Sequence, residues 1–274
     1  MQGYDQVPGE QYLFRHSDGT YVFTKEMSKA VFRPIQKTVT EKFTDLCDRE
    51  ITSADIVGNG PIYDTSSTIS YYAGLPIDPK DINTRGLVYI GGKKVDGIES
   101  KLGFYINFDG QYHFGEGNPP TPFNAFGGLG PLIVKDYRPS TKFPRPVIFN
   151  DVNVYDKNVE SSPPPKQTGD PYPEQEDNLL RRSSATISSY SAGQGIMAIG
   201  TSSATGLLHV LIREEGVSYG SETRSAIEHF RQLQCDNAVF LDGSTSITCR
   251  TKLKYYAEPD KRKNNSIEIG FKIS

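Results

Sequence analysis

Short alternations of aromatic and polar residues, each cut by a turn rich in Gly, Asp or Pro, run through most of the chain and predict a strand-rich fold. Tyr12-Leu13-Phe14-Arg15 and Thr20-Tyr21-Val22-Phe23-Thr24 flank Ser17-Asp18-Gly19, which reads as a hairpin. Leu87-Val88-Tyr89-Ile90 before Gly91-Gly92, and residues 102–108 before Asp109-Gly110 with Gln111-Tyr112-His113-Phe114 after it, read as a meander. Gly127, Gly128 and Gly130 lead into the apolar run Pro131-Leu132-Ile133-Val134, while residues 195–200 and 207–212 form a second hairpin, placed in the core. Helical periodicity shows in two places. Thr38-Val39-Thr40-Glu41 fits a capping box, with Val39, Phe43, Leu46 and Cys47 on one face of a helix over about 40–49. Ser221 would cap a helix over about 222–234 that buries Ala226, Ile227, Phe230 and Leu233.

Two apolar strands stop abruptly at small polar residues. Ile56-Val57-Gly58-Asn59-Gly60-Pro61 is the first and Val239-Phe240-Leu241-Asp242-Gly243-Ser244-Thr245-Ser246-Ile247-Thr248 the second. A buried strand ending in Asp-Gly-Ser sets a carboxylate and several donors at the rim of a sheet, where ligands are received; the same residues also make an ordinary turn. Between these ends, residues 156–180 carry Ser161-Ser162-Pro163-Pro164-Pro165-Lys166 and many acids with almost nothing apolar, which reads as a solvated surface insertion.

Composition narrows the field. At 274 residues the chain suits one elaborated domain, with 1–36 as an N-terminal hairpin extension of a main body over 37–274. The 30 Lys and Arg nearly balance the 33 Asp and Glu, and a net charge of −3 speaks against nucleic acid and anionic membrane as partners. No apolar stretch is long enough to span a bilayer, and Met1-Gln2-Gly3-Tyr4-Asp5 lacks the plan of a signal peptide, so a soluble, cytoplasmic protein is expected. Cys47, Cys235 and Cys249 are odd in number and widely spaced, which suggests buried thiols, with a Cys235–Cys249 bridge as the other possibility. His113 and His209 sit on strands and are expected to pack rather than react, and no cluster has metal-ligand spacing.

Taken together, the hairpin, the capped helix and the strand ending in Leu-Asp-Gly-Ser-x-Ser-x-Thr resemble the phosphodiester glycosidase family. That family closes on approximately Asn-Leu-Asp-Gly-Gly-Gly-Ser-Ser-Thr, which Leu241, Asp242, Gly243, Ser246 and Thr248 match in register. It opens, behind a helix, on approximately Ala-Ile-Asn-Gly-Gly-Phe-Phe-Asp, matched by Asn59, Gly60, Tyr63 and Asp64. Gly86-Leu87-Val88 with Gly92-Lys93, Phe104 with Asp109-Gly110, and residues 130–134 stand in the order of the family's middle blocks, so the likeness spans about Thr38 to Arg250. The departures are Phe240 for the Asn before Leu-Asp, Ser244 and Thr245 for two glycines, and Pro61 for the second glycine of the opening motif. Ile196 stands where the family has an arginine, a natural phosphate clamp.

The resemblance implies an α+β fold, a single domain of mixed or antiparallel sheet with a few packed helices. It also implies a hydrolase that cleaves a sugar-1-phosphodiester or nucleotide-sugar glycosidic bond. Asp242 would act as base or stabiliser and Glu215 as its partner; Asn59 would orient a sugar hydroxyl and Ser244 or Ser246 would donate to phosphate oxygens. Gly60, Gly243 and Thr248 complete the binding set. No cofactor is expected, although Asp242 and Glu215 could together hold a hard divalent cation. With the family arginine gone, Arg85 and Arg213 are the nearest replacements, both expected at the surface. The alternatives are an inactive relative that binds or sequesters a glycosylated or nucleotide-like small molecule, and an interaction module that uses the Pro-rich segment.

Overall fold

The alternating segments fold as strands whose every pairing, among the described residues, is antiparallel. The computed structural model describes residues 2–38, 40–61, 63–65, 82–84, 86–97, 104–134, 147–149, 152–154, 195–214, 222–243 and 246–274. Thirteen strands form the larger sheet, whose main path runs Tyr4–Gln6, Leu13–His16, Tyr21–Glu26, Leu207–Arg213, Ile196–Ser202, Asn237–Phe240, Asn124–Val134, Phe104–Phe108 and Tyr112–Glu116. Five strands form the smaller sheet, in the order Tyr255–Ala257, Cys249–Thr251, Ile56–Asn59, Ile269–Ile273 and Phe32–Gln36.

Period-two alternation sends successive side chains to opposite faces, and each face has its own partner. Phe23, Val210, Ile212, Met197, Ile199, Val239 and Leu241 of the larger sheet share one core with Phe32, Ile56, Phe271 and Ile273 of the smaller. On the far face of the larger sheet, Ile196, Ala198, Leu211 and Phe240 pack against Ala226 and Phe230 of the helix Glu222–Gln232. On the far face of the smaller sheet, Ile35 and Val57 pack against Phe43, Leu46 and Cys47 of the helix Phe43–Glu50.

The expected elements are present, with differences. The fold is β-rich with a few short helices rather than a balanced α+β mixture, and it has no parallel pairing among the described residues. The segment 1–36 supplies three strands to the larger sheet and one to the smaller, so it is built into both layers. The first helix begins later than 40 because two carboxylates cap successive turns: Glu41 Oε2 accepts the Thr38 N–H at 2.9 Å and Asp45 Oδ2 accepts the Lys42 N–H at 3.1 Å. A third helix, Lys261–Ser266, is announced only by its Asp260 cap, whose carboxylate accepts the Lys263 N–H at 2.7 Å. The three thiols are free and buried; Cys235 lies in the core beneath the second helix and Cys249 in the core between the sheets, so no bridge joins them. Among the described residues no helix is long and apolar enough to cross a membrane. Val39, Arg85, Glu215, Ser221, Ser244 and the segment 156–180 lie outside the described residues.

Candidate functional site

The two strands that end in small polar residues meet, although 183 positions separate Asn59 from Asp242. Ile56–Asn59 is the central strand of the smaller sheet, and Asn237–Phe240 lies inside the larger one. Their C-terminal ends converge where the sheets adjoin. The Asp242 N–H donates to the Gly60 carbonyl at 3.0 Å, and the Gly60 N–H in turn donates to the Ile269 carbonyl at 3.0 Å. Three chain segments are thus stitched together at the strand ends.

Asn59 fixes the loop that follows. Its side chain is wholly buried; Nδ2 donates to the Asp242 carbonyl at 2.8 Å and Oδ1 accepts the Thr248 N–H at 2.9 Å. One amide therefore holds both ends of the 242–248 loop, so Asn59, read from the sequence as a sugar contact, is committed to positioning Asp242. The Thr248 hydroxyl donates to the Ser246 carbonyl at 3.1 Å and rigidifies the same turn. Two glycines are required by close approach. A Cβ on Gly60 would lie 2.8 Å from the Ile269 carbonyl oxygen, and one on Gly243 would lie 2.6 Å from that of Gly195.

The Asp242 carboxylate faces this floor. Burial raises its pKa above the ordinary value, while the Lys263 charge, the Ser246 hydroxyl and the Gly243 N–H, the last at 3.0 Å from Oδ1, pull the other way. The Ser246 hydroxyl is fully buried and makes no hydrogen bond of ordinary length among the described residues, yet lies near enough to favour the charged form of Asp242. A buried hydroxyl left in this state beside a carboxyl suits a site that receives a polar group.

Charged residues that the sequence reading missed stand at the same end of the smaller sheet. Lys263, on the Lys261–Ser266 helix, contributes a positive charge that favours the ionised form of Asp242. Lys37 is buried, its Nζ donating to the Asn265 carbonyl, and burial lowers its ammonium to about 8 against the opposing charges of Glu268 and Glu41. Glu268 is buried too; its Oε1 accepts from Gln36 Nε2 at 2.5 Å and its carbonyl accepts the Lys37 N–H at 3.0 Å. Nothing in the sequence marks Lys37 or Glu268, because their burial shows only in the fold.

Arg213, expected at the surface, is fully buried. It pairs directly across the sheet with Ile196, so its guanidinium stands in that row on the neighbouring strand. It is already engaged: Nη2 contacts Asp18 Oδ2 at 3.2 Å and Thr20 Oγ1 at 2.8 Å. His229 Nε2 lies 2.8 Å from the same Asp18 oxygen, Tyr4 OH lies 2.5 Å from His229 Nδ1, and His16 Nδ1 lies 3.1 Å from Asp18 Oδ1. Burial alone would raise the Asp18 carboxyl, but the His229 ring and the Thr20 N–H outweigh it and hold it well below the usual carboxylate range. His16, Asp18 and His229 have the atoms and the spacing to hold a metal ion. The Arg213 guanidinium already supplies the positive charge Asp18 needs, so the cluster reads as a clamp between the first hairpin and the second helix. His209 is buried with Nδ1 at 2.9 Å from Thr24 Oγ1, and burial lowers its ring to about 4, which keeps it neutral and structural.

The geometry defines a β-rich, two-sheet fold with a few short helices and a carboxyl-bearing loop clamped at the seam. Among solved structures, the chain is similar to the catalytic domain of zebrafish N-acetylglucosamine-1-phosphodiester alpha-N-acetylglucosaminidase, described as auto-inhibited by its pro-peptide; identity is 13%, coverage 99% of this chain and 86% of that one, and the TM-score 0.54. It is similar also to a Burkholderia pseudomallei protein, at 13% identity, with 93% of this chain and 73% of that chain covered and a TM-score of 0.54. A hypothetical protein from Synechocystis aligns at 11% identity over 98% of this chain and 60% of that one, with a TM-score of 0.50. No family model matches the sequence, and no curated protein does. At such identities the likeness is one of fold.

Proposed function

We propose that the chain is a hydrolase acting on the glycosidic bond of a sugar-1-phosphodiester or a nucleotide sugar, with Asp242 at the reacting centre. The supporting observation is the convergence of Asn59-Gly60 and Asp242-Gly243. Two motifs from opposite ends of the chain join through three hydrogen bonds, and the product is a carboxyl group on a rigid floor. Cleavage of such a bond passes through an oxocarbenium-like transition state and needs a proton for the leaving oxygen, delivery of water and relief of charge on phosphate. A carboxyl whose pKa burial has raised retains a proton better than an ordinary one, so Asp242, expected from the sequence as base or stabiliser, is instead suited to give a proton to the departing phosphate. Lys263 and Ser246, both near Asp242, would carry the phosphate oxygens in place of the missing arginine, with Ser244 as a further donor. Asn59, Gly60, Gly243 and Thr248 hold the floor in place, and Glu215 is the partner that the resemblance assigns.

One observation favours a second reading, a protein that binds such a ligand without turning it over. The guanidinium nearest the family arginine's row is turned onto Asp18, and the loop's phosphate clamp is correspondingly weaker. A panel of sugar-1-phosphodiesters and nucleotide sugars, followed for free sugar and by calorimetry on the same samples, separates the two. Free sugar released from any member supports the hydrolase; micromolar binding with no release supports the binder.

A further inference from the structure

The clamp on Asp18 brings together more nitrogen atoms than a clamp needs. Arg213 alone balances the Asp18 charge, with Nη2 at 3.2 Å from Oδ2, yet two imidazoles converge on the same carboxylate. His229 Nε2, on the helix Glu222–Gln232, lies 2.8 Å from Oδ2, and His16 Nδ1, at the end of the strand Leu13–His16, lies 3.1 Å from Oδ1. The Asp18 N–H donates to that His16 Nδ1 at 3.3 Å, and the Thr20 N–H donates to Oδ1 at 2.9 Å. A ring nitrogen that accepts the Asp18 N–H is unprotonated, so it meets Oδ1 lone pair to lone pair, a contact that a cation between them relieves. The two rings pack edge to face with centroids 4.8 Å apart. On the other side of the His229 ring, Nδ1 lies 2.5 Å from Tyr4 OH, which fixes Nε2 toward Asp18. His16 and Asp18 are partly exposed, so solvent reaches the cluster.

We propose that His16, Asp18 and His229 form a binding site for a divalent transition-metal ion, best suited to zinc. Two imidazoles and one carboxylate are a ligand set that zinc favours, and with three protein ligands a further position stays open. The ligand atoms lie within 4.8 Å of one another. Two ligands on opposite sides of a zinc ion stand about 4.2 Å apart, so a small turn of the partly exposed His16 ring brings all three into reach. Asp18 is ready to bind as it stands, because the His229 ring and the Thr20 N–H keep it ionised against the burial that would otherwise raise its pKa. His229 binds through Nε2 by giving up the proton there and donating from Nδ1 to the Tyr4 oxygen, the outer hydrogen bond that orients a metal-bound imidazole. Arg213 keeps its place by donating from Nε and Nη2 to Thr20 Oγ1, at 3.1 and 2.8 Å. Its charge beside the ion leaves a surplus of positive charge, which suits the open position to an anionic oxygen such as that of a phosphate or carboxylate. Without the ion the same groups act as the clamp. His229 lies 211 residues from Asp18, which is why no metal-ligand spacing shows in the sequence. The site uses none of the residues assigned to hydrolysis and is independent of that reading.

The test is zinc uptake by the full chain after treatment with a chelator, measured by calorimetry and elemental analysis for wild type, His16→Ala, His229→Ala and Tyr4→Phe. Folding of each is checked by circular dichroism. The wild type is expected to take up one ion per chain, and zinc to raise its unfolding midpoint. Tyr4→Phe keeps all three ligands and is expected to lose about 10–100-fold in affinity. His16→Ala and His229→Ala each remove a ligand and are expected to lose more than that, together with the shift in midpoint. His16 is partly exposed, so its variant reports on the site even if His229→Ala folds poorly. Cobalt in place of zinc should give a visible spectrum without thiolate-to-metal charge transfer, because the three cysteines are buried elsewhere. Unchanged affinity in folded His16→Ala puts the ion elsewhere and overturns the site, and so does the absence of uptake by the wild type.

Discussion

Truncating Asn59 would strand two backbone groups at once, the half-buried Asp242 carbonyl and the buried Thr248 N–H. Each orphaned group costs about 1–3 kcal/mol, so Asn59→Ala should lower stability by about 2–6 kcal/mol, read as a fall in the urea midpoint at unchanged m-value. A change below about 0.5 kcal/mol would mean that the amide does not hold the loop. Asp18 carries a pH signature. Its folded carboxyl titrates below the roughly pH 4 of an unfolded aspartate, so its contacts with His229, Arg213, His16 and Thr20 add stability above about pH 4 that drains away as the pH falls further. Asp18→Asn should therefore be much less stable than wild type at pH 7, with the gap narrowing toward pH 2; a gap constant with pH would refute the clamp. At this scale the sequence was partly legible. Asp242-Gly243 and Asn59-Gly60 stand out because small polar residues interrupt apolar strands. Arg213, Lys37 and Glu268 do not, because a buried charge is recognisable only through its partners. Asp18 lies 195 residues from Arg213, and the loop that carries it reads as a plain turn.

Elements were more legible than residues, because their pattern repeats. Alternation located the hairpin around Asp18-Gly19, the pair Ile196–Ser202 and Leu207–Arg213, and the strand before Asp242. The apolar face of Glu222–Gln232 named Ala226 and Phe230, both of which are buried against the larger sheet. Phe230 is the anchor: its ring fills the space above Gly200, where an added Cβ would come within 2.7 Å of it. Phe230→Ala should cost about 3–5 kcal/mol by opening a cavity under the helix. Thermal unfolding checks this, and a loss under 1 kcal/mol would show that the helix contributes little. The six-residue helix Lys261–Ser266 escaped notice because KRKNNS has no apolar stripe, and only its tertiary setting gives it a role. The partition of the first 36 residues also eluded a local reading, since pairing across the chain joins them to both sheets.

At the scale of the whole molecule, the termini and the middle of the chain are interlocked. Tyr21–Glu26 pairs with Leu207–Arg213, and Ile269–Ile273 joins Phe32–Gln36 to Ile56–Asn59. The site lies where these long-range pairings meet, so its geometry depends on the closure of both sheets. If, as proposed, this closure builds a hydrolytic centre on Asp242, the direct test is release of free sugar from a sugar-1-phosphodiester by wild type and by Asp242→Asn at matched folding. Turnover by wild type and a loss of about a hundredfold or more in the variant, with binding retained, are expected. Equal turnover in the two proteins would contradict it.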